Sequence, residues 1–275
     1  MRIALCNEVL AGMPLEKQCE YAASLGYDGL EVAPFTLSDA PEKISSGQAS
    51  TVRATIESFG LVVTGLHWLL VKPEGLSLTV PDAALRRRTL DVMDRLCGLC
   101  AELGGKVLVH GSPKQRQVAP GETHAVALTR LQDGLAQAAR AAASHGVVYC
   151  IEPLSKNETD VLNTVAQAAE VVRAIGHPSL RTMIDCSAAG QTEAVPLPEL
   201  IDLWLPTGLI GHIQVNDPNR RGPGQGKMKF APIFEALKRN GYQGAIGVEP
   251  FDYVPDGPGV AAFAAGYLRA IREAL

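Results

Sequence analysis

The chain has 275 residues, 47% of them hydrophobic, and its 25 basic and 29 acidic residues leave a formal charge of −4. This length suits one (β/α)₈ barrel of roughly 250 residues as well as two small domains. A core of that size needs no disulfide staples, and the near balance of charge offers no broad footprint for nucleic acid or an anionic membrane.

Short apolar, β-branched runs recur along the chain. They predict strands at 2–7, 29–34, 62–67, 106–111, 147–153, 181–186, 209–216 and 245–250. Between them, apolar residues at three- and four-residue spacing predict helices at 15–25, 47–59, 82–103, 123–145, 162–175, 198–204 and 230–239, with a last one running to the C-terminus. The strands alternate little, as expected when both faces of a parallel sheet are buried. Glycines stand where helices must stop, Asp82 is placed to cap the third helix, and Asn163-Thr164 the fifth. No linker or composition shift divides 1–275, so the expected architecture is α/β: a single TIM-barrel domain.

Asn7 and Glu8 interrupt the first apolar stretch, so no signal peptide is expected, and no run approaches the roughly 18 apolar residues of a membrane span. The six cysteines are too scattered for a disulfide framework, and Cys97 and Cys100 fall within a predicted helix without a second metal-binding pair. The expected setting is the reducing cytoplasm.

Inward positions of a barrel are normally aliphatic. Here the strand C-termini carry His67, His110, Glu152, Asp185, His212 with Gln214, and Glu249. Closure of a barrel brings such ends to one mouth. Three carboxylates meeting there must be protonated, paired with basic groups or neutralised by a metal. Basic residues nearby are confined to loops: Lys114, Arg116, Arg220, Arg221 and Lys227. An oxygen-rich set with an amide or imidazole suits Mn²⁺ or Mg²⁺, with Co²⁺ as a further candidate.

The segments IEP (151–153), MID (183–185), GHIQVND (211–217) with NRRGPGQG (219–226), and VEPF (248–251) resemble, in this order, the xylose-isomerase-like TIM-barrel superfamily. That group includes ketose 3-epimerases, hydroxypyruvate isomerases and, more distantly, endonuclease-IV-type nucleases. The resemblance implies that Glu152, Asp185 and Glu249 are metal ligands. Epimerases of the group carry His-x-His where this chain reads His212-Ile213-Gln214, whereas hydroxypyruvate isomerases have a glutamine there. Residues 212 and 214 of a strand share a face, and 214 lies nearer the mouth. Gln214 is therefore the expected fourth ligand, with His212 one layer deeper. Glu158 and Arg220 match substrate contacts of the epimerases, His67 and His110 match ligand positions of the nucleases, and with His212 they complete the candidate substrate-binding set. A histidine three residues after the aspartate ligand is replaced here by Ala188.

The implied reaction moves a proton beside a carbonyl through an enediolate, with Glu152 and Glu249 as proton carriers on a small keto-sugar or related ketone. A lyase or dehydratase acting on an oxidised sugar could use the same site. A phosphoesterase and a non-catalytic sugar-binding barrel are the remaining readings. The expected partner is a small carbohydrate, not nucleic acid or membrane, and a homo-oligomer is left open.

Overall fold

The β-branched runs pair with one another in chain order. The computed structural model describes residues 1–275, and its eight strands are β1 (Arg2–Cys6), β2 (Gly29–Val32), β3 (Val62–Leu66), β4 (Val107–His110), β5 (Val148–Ile151), β6 (Leu180–Asp185), β7 (Ile210–Val215) and β8 (Ala245–Val248). All neighbours are parallel, and β8 pairs with β1 to close the barrel. Nine helices surround it: α1 (Leu15–Ser24), α2 (Ser46–Ser58), α3 (Ala83–Glu102), α4 (His124–His145), α5 (Val165–Ile175), α6 (Cys186–Thr192), α7 (Leu197–Trp204), α8 (Phe230–Arg239) and α9 (Gly257–Ala274). None is long and apolar enough to cross a membrane.

Local chemistry explains the element ends. Asp82 caps α3 by accepting hydrogen bonds from the backbone of Ala84 and Leu85. Thr164, rather than Asn163, caps α5 through a reciprocal box with Gln167. Gly146 and Gly176 end α4 and α5 with left-handed backbone that a side chain would resist. The sequence periodicity did not predict α6. This seven-residue helix starts directly after β6, and the Asp185 carboxylate caps it by accepting from Ala188 N at 2.7 Å.

Most apolar side chains pack between the barrel and its helices in one cluster of 64 buried residues. A second, small cluster of Val109, Cys150 and Met183, flanked by Val107 and Val148, comes from the three adjacent strands β4 to β6. By alternation from Glu152 and Asp185, it fills the barrel interior below them. In β7, Thr182 pairs with Ile210 but Met183 with His212, so Gly211 is the extra residue of a bulge. All six cysteines, including Cys97 and Cys100 of α3, are free and buried.

Candidate metal centre and substrate cavity

Each carboxylate of the mouth is delivered by the end of a strand. Glu152 follows β5, Asp185 ends β6 and Glu249 follows β8. One oxygen from each lies within 4.8 Å of the others, and all three side chains are buried. Gln214, in register between Asp185 and Gly247, is fully buried beside them.

The hydrogen bonds leave a spare oxygen on three of these residues. Asp185 uses Oδ1 to cap α6, and its Oδ2 has no partner. Glu249 Oε1 meets His67 Nδ1 at 2.8 Å and accepts from Trp68 Nε1 at 2.9 Å, while Oε2 has none. Gln214 donates from Nε2 to Glu31 Oε1 at 2.9 Å, and its Oε1 is buried without a donor. Buried polar atoms normally have partners, so three orphaned oxygens on residues of the neighbouring strands β6 to β8 call for a counter-charge.

The electrostatics agree. Burial, then repulsion from Glu249 and Asp185, holds the Glu152 carboxyl well above its ordinary pKa. Burial and Glu249 do the same to Asp185. Burial pushes Glu249 up to about 7 even though His67 favours its charged form. Three like charges in a dry mouth cannot all ionise unaided. The donors are hard oxygens, and a hard divalent cation fits them.

Behind this set sits a polar layer that pattern reading passed over. Glu31 of β2 is buried and receives both Gln214 Nε2 and His212 Nε2, the latter at 2.7 Å. Burial would raise its pKa, but His212, His67 and the hydrogen bond from Gln214 together outweigh this and lower it. Glu8, just after β1, places Oε2 2.9 Å from His67 Nε2. Burial disfavours charge on His67, yet Cys6, Glu8 and Glu249 around it drive its pKa well up. Cys6, Glu8, His67 and Glu249 thus form a second close group of candidate ligand atoms, sharing Glu249 with the first.

Arg116 is the loop residue whose surroundings differ most from those of an exposed cation. It is wholly buried, and its Nη2 donates to the Glu152 carbonyl at 2.6 Å. Burial lowers its pKa to about 10, partly offset by the charges of Glu152 and Glu158, so it remains a cation near neutral pH.

A cavity of about 720 Å³ opens over the carboxylates and is lined by Glu152, Glu249, Glu158, Arg220, Trp68 and Phe251, together with segments 71–76 and 111–115. Arg220 Nη1 donates to Glu158 Oε1 at 3.0 Å, and its guanidinium lies 4.5 Å from the Phe251 ring centroid. Ser155 holds the other Glu158 oxygen through its hydroxyl and backbone N–H. Trp68, Ser112 and Arg220 all line the cavity and all have positive φ. Left-handed backbone in such residues costs roughly 1 kcal/mol or more and gathers at working sites.

The structure therefore brings Glu152, Asp185, Gln214 and Glu249 together and sets Glu158 and Arg220 above them. The three histidines of the predicted substrate set take other places. His67 backs Glu249, and His212 lies beneath Gln214 against Glu31. His110 turns towards Tyr149, whose hydroxyl is 3.0 Å from its Nδ1. Burial and the charge of Arg116 lower the His110 pKa to about 3, which keeps the ring neutral. None of the three lines the cavity.

Similarity to known proteins agrees with this architecture. The chain is 29% identical over 238 residues to D-psicose 3-epimerase of Agrobacterium fabrum, covering 84% of this chain and 78% of that one. It is 27% identical over 265 residues to a putative hydroxypyruvate isomerase of Streptomyces coelicolor, covering 91% and 90%. A crystal structure of 3-keto-D-glucoside 4-epimerase from E. coli superposes with a TM-score of 0.84 at 22% identity, covering 98% of this chain and 99% of that one. The relatives are epimerases and isomerases, and this chain is an enzyme. The family model for the xylose isomerase-like TIM barrel matches residues 19–271, and the chain belongs to that family.

Proposed function

We propose that this enzyme is a divalent-cation-dependent isomerase or epimerase that moves a proton beside the carbonyl of a keto-sugar. The observation that carries this reading is the set of buried oxygens on Asp185, Gln214 and Glu249, which have no donor and stand beside Glu152. The names of the relatives, D-psicose 3-epimerase and hydroxypyruvate isomerase, support the substrate class.

Glu152, Asp185, Gln214 and Glu249 would hold the cation through oxygen, a donor set that favours Mn²⁺ or Mg²⁺. When bound, it supplies positive charge that favours an enediolate over the parent ketone. Glu152 and Glu249 are the two candidate proton carriers, one removing and the other returning the proton. His67 and Trp68 fix the direction of the Glu249 carboxylate. Arg116 anchors the main chain at Glu152 and places a buried positive charge nearby. Glu158 and Arg220, at the cavity wall, are suited to a substrate hydroxyl. The six buried free cysteines suit a reducing compartment such as the cytoplasm.

Elemental analysis of protein purified without chelator is expected to find about one divalent cation per chain. Keto-sugars incubated in deuterated water are then expected to exchange the hydrogen next to the carbonyl. Glu249→Gln is expected to stop that exchange while leaving the barrel folded. A chain without stoichiometric metal, or exchange undiminished in Glu249→Gln, would overturn the reading.

A further inference from the structure

A glutamine is an unusual choice for a metal ligand because its two ends are nearly the same shape and chemically opposite. The carbonyl oxygen can bind a cation, whereas the amino end can only donate hydrogen bonds. Facing three carboxylates, the amino end would be strongly attracted to the very oxygens a cation needs. Something must therefore decide which way the amide of Gln214 points.

Glu31 is placed to do this. It stands on β2, two strands beyond β8 from the glutamine, and reaches across the barrel interior to Gln214 and His212. An ionised carboxylate only accepts hydrogen bonds, so the group facing Glu31 Oε1 must be the amino end of Gln214. The carbonyl end is then left as the buried oxygen without a donor beside the carboxylates. His212 occupies the second oxygen of Glu31 at 2.7 Å, which keeps the carboxylate from turning. The barrel also makes room for it. A Cβ at Gly247 would lie 2.5 Å from Glu31 Oε2 and 3.2 Å from Gln214 Cγ.

We infer that Glu31 is a positioning residue that orients the amide of Gln214, with its carbonyl oxygen towards the cation site. This rests on the cation-dependent reading above. Glu31 does not line the cavity and makes no hydrogen bond to the other three ligand residues; it acts through Gln214, supported by His212 from below and by the missing side chain at Gly247.

The test is Mn²⁺ affinity, measured by the electron paramagnetic resonance of free Mn²⁺ and by calorimetry in wild type, Glu31→Gln, Gln214→Glu and the double variant. Glu31→Gln can donate as well as accept, so the facing amide is free to turn. It is expected to weaken Mn²⁺ binding about 10- to 100-fold, the range for outer-shell partners. In the Gln214→Glu background the ligand has two equivalent oxygens and no direction to set. There the same change is expected to leave Mn²⁺ binding unchanged or tighter. Glu31→Asp, which keeps the acceptor but draws it back, is a second variant in case Glu31→Gln folds poorly, and it is expected to show the same dependence on background. An equal loss in both backgrounds, or affinity within twofold of wild type in Glu31→Gln, would overturn the inference while the cation reading stands. Wild-type protein that binds no Mn²⁺ would overturn both.

Discussion

Without the proposed cation the carboxylate cluster should be a pH-dependent liability, and its size can be estimated. Glu249 has an ordinary pKa of 4.5 and is held at about 7 in the fold. Each pKa unit is worth about 1.4 kcal/mol. In this range the folded chain keeps a proton that the unfolded chain has released, so stability falls as pH rises. The loss begins above pH 4.5, is complete above about 7, and amounts to roughly 3 kcal/mol for Glu249 alone. At about 2–4 °C per kcal/mol for a chain near this size, the melting temperature should drop by about 6–12 °C. Glu152 and Asp185 are pushed the same way and add to the drop. His67 has an ordinary pKa of 6.5 and is held well above it, so its loss falls on the alkaline side of the same range. Calorimetry in chelator between pH 4.5 and 7, on wild type and Glu249→Gln, measures the effect. The Glu249→Gln curve should be flatter by about 3 kcal/mol. Saturating Mn²⁺ should flatten the wild-type curve, because the cation takes the place of the protons. Parallel curves for the two proteins, or a metal-free wild type that gains stability over this range, would refute the reasoning.

Three further outcomes are expected. Gly111→Ala adds a Cβ against Glu152 Oε2, so turnover should fall at least tenfold with roughly 1–3 kcal/mol of stability lost, read by kinetics and melting. Arg220→Ala removes the guanidinium from Glu158 and Phe251 at the cavity wall. It should raise KM roughly tenfold with a smaller change in kcat, read from initial rates once a substrate is in hand. Trp68→Phe removes one donor to the ionised form of Glu249. Glu249 should then hold its proton more tightly, and the acid limb of the kcat/KM profile should move to higher pH.

The parts of this molecule that could be read in advance depend on local periodicity. The eight strands and most helices come from three- and four-residue spacing or apolar runs, and the structure moves their ends by only a few residues. Glu152, Asp185 and Glu249 stand out because a charge at the end of a buried strand needs a reason. Glu31 has the same burial but sits within GLEV, where one acid among apolar residues reads as an ordinary strand position. Its meaning depends on Gln214, 183 positions away, and only barrel closure brings the two together. Arg116 shows the same limit from the other side. In GSPKQR it resembles any solvated loop cation, and nothing local reveals that the loop folds it beneath Glu152. α6 escaped because seven residues are too few to display a helical period.

The cavity wall is divided in a way that bears on how this enzyme could change its diet. The acids stand at β5, β6 and β8, whereas much of the remaining wall comes from segments 71–76 and 111–115 after β3 and β4. The halves are tied at a few points only: His67 and Trp68 bond Glu249, Arg116 bonds the Glu152 carbonyl, and Gly111 packs against the Glu152 carboxylate. Exchanging wall residues that are at least partly exposed, such as Val71 and Lys114, should therefore leave the spacing of the carboxylates undisturbed. One half of the rim is free to drift towards new sugars while the other keeps the same carboxylates. Retraining this barrel for another substrate should begin with the loops after β3 and β4, leaving His67, Trp68, Gly111 and Arg116 in place.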